Sequence, residues 1–280
     1  MEKEIIQRSV SRLANTMRIY AERHLLYKGL VAVDREEAIE NLDRAWEAIL
    51  EAFHTLYDVS KNEFDYFATA DTSLLISLRN ALHHRDHSLF SSLLPELWLR
   101  ESPELREGAA YLLASHNSLR GRKSPMHHFI KLEDIYSRLD PSKKSPELVR
   151  IGKIPELQQR FNLIAQDLGL EIVIAEAKAE RYPEKQVYID MVPILISGLR
   201  RTFRNLKELG VEFKGYDAKT YENCFVEELE IDLTSFEFKM LRINMIQLHL
   251  GPALTINEAA ISYDRKERSN KVSIDPLITQ

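Results

Sequence analysis

A single cysteine, Cys224, among 280 residues excludes an internal disulfide and any cysteine-rich zinc site, and favours a reducing compartment. Glycine is sparse too, nine in all. Neither a G-x-x-x-x-G-K-[ST] phosphate loop nor a G-x-S-x-G turn occurs, so ATP-driven chemistry and a nucleophile elbow are not expected. The longest apolar stretch, MVPILISGL from Met191, is far short of a bilayer span. The N-terminal MEKEIIQRSVSR alternates charge with apolar residues and has no signal-peptide core, so a cytoplasmic protein is expected. A net charge of −5 argues against a protein that coats nucleic acid without regard to sequence.

What is present is ordinary globular material: 44% apolar and 29% charged residues, enough chain to bury a sizeable core. Ile6, Val10, Leu13, Met17, Tyr20, His24 and Tyr27 step by threes and fours, as do Ile39, Leu42, Trp46, Ile49, Phe53 and Leu56. Both are helix stripes of the width used in antiparallel bundles. Asp34 followed by Glu37 reads as an N-cap with its capping-box partner. Asp71 or Thr72 can cap a third helix carrying Leu75, Leu78, Leu82 and Leu89. Further helices are expected at 103–117, 126–139 and 155–168. DPSKKSPEL, from Asp140 to Leu148, is the best linker candidate. Beyond it the pattern changes. EIVIAE (Glu171 to Glu176), QVYID (Gln186 to Asp190), LEIDL, FEFKM and LTINEAAISY read as strands, with a helix between Val192 and Leu209. The expected organisation is a helical unit over 1–145 and a mixed α/β region over 146–280 that either stands apart or packs on the bundle as one domain.

Two basic clusters stand out: LRGRKSPMHHFIK (Leu119 to Lys131) and GLRRTFRNLK (Gly198 to Lys207). Most such runs are solvated surface, and anion contact is the alternative. The densest chemistry is LRNALHHRDHSLF, residues 78 to 90. At roughly 100° per residue, the leucines of the third helix gather on one side. Arg79, Asn80, His83 and His87 gather on the other, with His84 just beyond and Ile76 in their midst. That placement predicts a polar face turned away from the core, with Ile76 suited to cover by a second subunit.

Arg79-Asn80-Ala81-Leu82-His83-His84 resembles the R-N-x-x-x-H form of the R-x4-6-H motif of HEPN domains. The helical setting and the preceding pair of long helices agree with that resemblance, which covers about six motif residues and the helical first half. It implies a mainly α fold, a HEPN-like helical bundle with a smaller mixed α/β C-terminal region. It also implies a metal-independent endoribonuclease, a toxin or antiphage-defence effector, with its site composed across a homodimer. His84 takes the role of acid/base because imidazole titrates near neutrality. Arg79 holds the phosphate with its planar fork, and Asn80 orients the imidazole or a phosphate oxygen. His83, Asp86 and His87 are accessory candidates, and Arg120, Arg122 and Lys123 are candidate RNA contacts. No cofactor and no metal are expected; an antitoxin or regulatory protein is an expected partner. Where HEPN toxins inactivated by a nucleotidyltransferase carry a Tyr two residues after the His, this chain has Asp86, so that regulation is not implied. Three readings stay open: His83 and His87 as the working pair, a metal held by His83, Asp86 and His87, and a non-catalytic face that binds a protein partner or nucleotide.

Overall fold

The computed structural model describes residues 2–83, 89–100, 103–120, 124–146, 154–212, 229–249 and 255–268. The two long stripes are helices α1 (Glu2–Val31) and α2 (Arg35–Ser60), packed against each other as an antiparallel hairpin. Asp34 caps α2 by accepting the Glu37 backbone N–H at 2.9 Å, as the sequence predicts. Helix α3 (Ala70–His83) follows, then α4 (Leu93–Trp98). The chain next enters strand β1 (Ala110–Ser118), then β2 (Phe129–Lys131), α5 (Leu132–Leu139), α6 (Ile154–Asp167) and α7 (Leu170–Ala179). It ends with β3 (Val187–Asp190), α8 (Met191–Glu208), β4 (Ile231–His249) and β5 (Thr255–Arg268). The fold is mainly helical around one mixed sheet, whose strand order is β2-β3-β1-β4-β5. Strand β1 pairs parallel with β3 and antiparallel with β4.

That strand order corrects the expected boundary near 145. Strands β1 and β2 precede it, yet their partners β3 and β4 follow it. One core runs from Ile6 and Val10 through Leu75 and Ile135 to Phe236 and Phe238, which leaves the one-domain alternative. The expected linker holds a short 3-10 turn, Pro141–Lys143, capped by Asp140; residues 147–148 lie outside the described set.

Three local expectations are also overturned. The 103–117 segment is a 3-10 turn (Pro103–Arg106) and then β1, because Tyr111, Leu112, Leu113 and Ala114 are all buried. Leu112 and Ala114 meet the main core, while Tyr111 and Leu113 meet a smaller cluster under Leu93 and Leu97 of α4. A strand buried on both faces has no alternation to read. Within 126–139, β2 precedes α5. EIVIAE is the opposite error: it lies in α7, with Leu170, Val173 and Ala177 buried at helical spacing. Gly169 starts that helix at φ +61°, and a Cβ there would come within 3.1 Å of Phe236, so glycine suits both the backbone and the contact. β-Branched residues yielded to tertiary packing.

Helix α3 differs most from its expectation. It packs against α2, α6 and α8, and its residues 70–78 are all buried. Ile76 is 1% exposed and lies in the main core. The expected dimer-covered face is therefore covered from within the chain. Asp71 does not cap the helix, which starts at Ala70. It is a wholly buried anchor instead, accepting from Ser197 Oγ at 2.7 Å and Arg201 Nε at 3.3 Å on α8. Gly198 lets the two helices approach, since a Cβ there would sit 3.0 Å from Leu75 Cδ1. Among the described residues no helix is long and apolar enough to cross a membrane.

Burial of α3 sets the first expected outcome. Ile76→Ala should destabilise by about 2–5 kcal/mol as a core truncation, and Gly198→Leu by about 1–3 kcal/mol through overpacking. Urea unfolding measures both. An Ile76→Ala cost below about 0.5 kcal/mol, the usual surface range, would return Ile76 to the surface.

Candidate functional site

The motif on α3 is visible in part. Arg79 is half-buried and faces α2, where its guanidinium donates to Glu51 Oε2 at 3.1 Å. A second, longer bond of 3.4 Å reaches the Asn80 side-chain oxygen. His54 of α2 shares this neighbourhood: burial first, then the Arg79 charge, lowers its pKa, and its Nδ1 lies 3.2 Å from Asp58. His83 ends the helix and is exposed. His84, Asp86 and His87 lie outside the described residues, as do Arg122 and Lys123, while Arg120 is exposed just past β1. The structure thus brings Arg79 and Asn80 together and adds Glu51 and His54, which sequence spacing does not connect to them. In the second basic cluster, Arg201 pairs with Asp71 and Arg200 with Glu230, so both serve packing.

A second arrangement centres on Asp190, the last residue of β3. It is 1% exposed. Its Oδ1 accepts the backbone N–H of His128 at 3.0 Å and of Val192 at 3.1 Å. Its Oδ2 takes Ser115 Oγ at 3.0 Å and faces His127 Nδ1 at 2.6 Å. Burial alone would raise this carboxyl's pKa, but those hydrogen bonds and the His127 ring outweigh it and hold the pKa below the ordinary carboxylate value. On the far side of the same ring, Nε2 lies 3.4 Å from Lys239 Nζ on β4. A lysine ammonium only donates, so Nε2 accepts and Nδ1 carries the proton that bonds Asp190. In the tautomer that fits both contacts, the Nε2 lone pair faces Lys239 beside a cleft.

That cleft has a volume of about 690 Å³ and lies between the α1–α2 hairpin, α4 and the sheet. Its polar lining includes His24, His127, Lys239 and Arg35; Trp98 and Tyr27 contribute flat walls. Arg35 lies 4.5 Å over the Trp98 ring, a cation–π geometry. His24 Nε2 is buried without a hydrogen-bond partner among the described residues. Asp43 stands where the cleft meets a smaller hollow beside Leu82 and Phe90, and burial pushes its carboxyl up to about 6. His128 stacks on Trp46 at 4.3 Å, and burial lowers its pKa to about 3. Among the described residues no group of three or more His, Cys, Asp or Glu is placed to hold a metal ion.

No family model, curated protein or solved structure matches the chain. The geometry therefore stands by itself. The sequence marks the segment holding His127 and His128 as basic, and FEFKM, which holds Lys239, as a strand. Nothing in the spacing joins them, because 112 residues separate His127 from Lys239.

His128 yields a pH prediction with a definite sign. Its pKa is about 3 folded and about 6.5 unfolded, so between those values the unfolded chain binds the extra proton. Its share of stability is present above pH 6.5 and is lost as pH falls. Between pH 7 and 5 that loss is about 2 kcal/mol. Asp43 works the other way below pH 6, but it does so equally in wild type and variant. His128→Phe, which keeps a ring on Trp46, should remove about 2 kcal/mol of the pH 7-to-5 decline in urea stability. An unchanged decline would mean that the ring protonates in the folded state.

Proposed function

We propose that the protein is a metal-independent endoribonuclease whose site gathers at the C-terminal end of α3. The observation that carries this reading is the placement of Arg79 and Asn80. They are hydrogen-bonded neighbours in the last turns of a helix that follows a long antiparallel helix pair, the setting in which the R-N-x-x-x-H motif of HEPN domains works. RNA cleavage by the ribose 2′-OH requires a proton acceptor near neutral pH, a proton donor and a cation for the phosphorane. His84 is the proposed acid/base and Arg79 the phosphate-binding cation. Glu51 keeps the guanidinium fork aligned until substrate displaces or shares it. A second copy of the chain is the proposed partner, pairing through the helix end where His83 is exposed rather than through Ile76. A toxin or defence role is the cellular reading that accompanies this chemistry.

One observation favours a non-catalytic alternative. The Arg79–Glu51 pair clasps α3 to α2, and a clasp of that kind also suits a helical scaffold that recognises a protein partner. Cleavage and stability measurements separate the two.

Purified protein should cut single-stranded RNA in excess EDTA and leave 2′,3′-cyclic phosphate ends. Arg79→Ala and His84→Ala should each lower the rate on the order of 10²-fold or more. Glu51→Gln should unfold at nearly the wild-type urea concentration, since exposed or half-exposed ion pairs contribute about 0–1 kcal/mol. Absence of RNA cleavage, or cleavage unchanged in both variants, would leave Arg79 as the α2–α3 clasp of a binding protein.

A further inference from the structure

The cleft beside His127 is separate from the α3 motif and is built from different residues, so a ligand bound there is independent of the ribonuclease reading. Three of its properties select that ligand. Its floor carries a cation, the Lys239 ammonium, half-buried on the sheet. Beside it, His127 Nε2 offers a lone pair that only Lys239 engages among the described residues, through a long 3.4 Å contact. Asp190 holds that ring from the other side at 2.6 Å, so the acceptor is preorganised and cannot change tautomer without losing a buried hydrogen bond. The walls are flat and apolar, with Trp98 and Tyr27 facing the space and Arg35 stacked at the mouth.

An anionic group, a hydroxyl to donate to His127 and a flat aromatic body are together the chemistry of a nucleoside phosphate. A volume of about 690 Å³ is within the usual range for a ligand of that size. We propose that this cleft is a binding site for a nucleoside phosphate. Lys239, with Arg35 at the mouth, takes the phosphate. With the ammonium turned to the phosphate, the single Nε2 lone pair of His127 accepts a hydrogen bond from a ribose hydroxyl in its place, and the base lies against Trp98 and Tyr27. Among the described residues that line the cleft, Asp43 is the one carboxylate, and it stands at the junction with the neighbouring hollow. A base amino group is the ligand feature it can accept. Two sources share this chemistry: a free mononucleotide, and the phosphorylated end of an RNA strand.

Calorimetric titration of the full chain, followed in parallel by tryptophan fluorescence, tests the assignment. AMP and UMP should bind, and inorganic phosphate and dodecanoate should bind at least tenfold more weakly. Lys239→Ala should weaken AMP binding tenfold or more, and Trp98→Ala should do so as well. Neither side chain bonds Asp190, so both variants should keep the wild-type far-UV spectrum. His127→Gln probes the acceptor itself; if it fails to fold, the other two variants still decide the question. A 5′-phosphorylated hexanucleotide that binds tenfold more tightly than AMP identifies a strand end as the ligand, and equal or weaker binding identifies the free nucleotide. Failure of AMP and UMP to bind at about 1 mM, equal affinity for dodecanoate or phosphate, or indifference to Lys239→Ala would each overturn the proposal. Ribonuclease activity enters none of these readouts, so its loss and the loss of this site are distinguishable.

Discussion

The Asp190 carboxylate is the point on which the middle of the molecule turns. Both oxygens are buried, and four donors from three directions converge on them: the loop before β2, strand β1 and the first turn of α8. A carboxylate in that position costs several kcal/mol in desolvation unless its lone pairs are filled, and here they are filled. The same contacts end β3, start α8 and fix which nitrogen of His127 carries a proton. Fold and candidate chemistry share one residue.

Around that anchor the chain interlaces rather than dividing. Strand β1 lies at the centre of the sheet, between β3 and β4, so the last third of the sequence completes a sheet begun in the first half. The α1–α2 hairpin is the most self-contained element, yet it too contributes to the cleft through His24, Arg35 and Asp43. Helix α3 is held on three sides, with Asp71 tying it to α8 and Arg79 tying it to α2. Because that helix is buried, its only accessible chemistry among the described residues lies at its C-terminal end.

Two candidate sites therefore coexist with different kinds of support. The α3 motif stands on residue pattern and helical context, with its cation already held by a carboxylate. The His127 cleft stands on geometry: an imidazole held by Asp190, a neighbouring lysine and aromatic walls. Phosphate-bearing ligands are proposed for both, and they lie near one another, since the hollow beside Leu82 at the end of α3 shares Asp43 and His128 with the cleft's surroundings.

The sequence by itself determined the long helices, because Ile39, Trp46, Ile49 and Phe53 repeat at helical spacing with a cap at Asp34, and such signals are local. It also excluded a disulfide within these 280 residues and marked Arg79 and Asn80 as candidates. Only the tertiary structure decided that AYLLA is a strand and EIVIAE a helix, since short apolar runs take whichever form their neighbours can bury. It alone decided that Ile76 is core: a helical wheel shows which residues share a face but not how many neighbours the helix has. The pairing of His127 with Asp190 and Lys239 was beyond sequence reach for a related reason. Its three members lie on a loop, a strand end and a distant strand, and no periodicity connects residues that only sheet order brings within hydrogen-bonding distance.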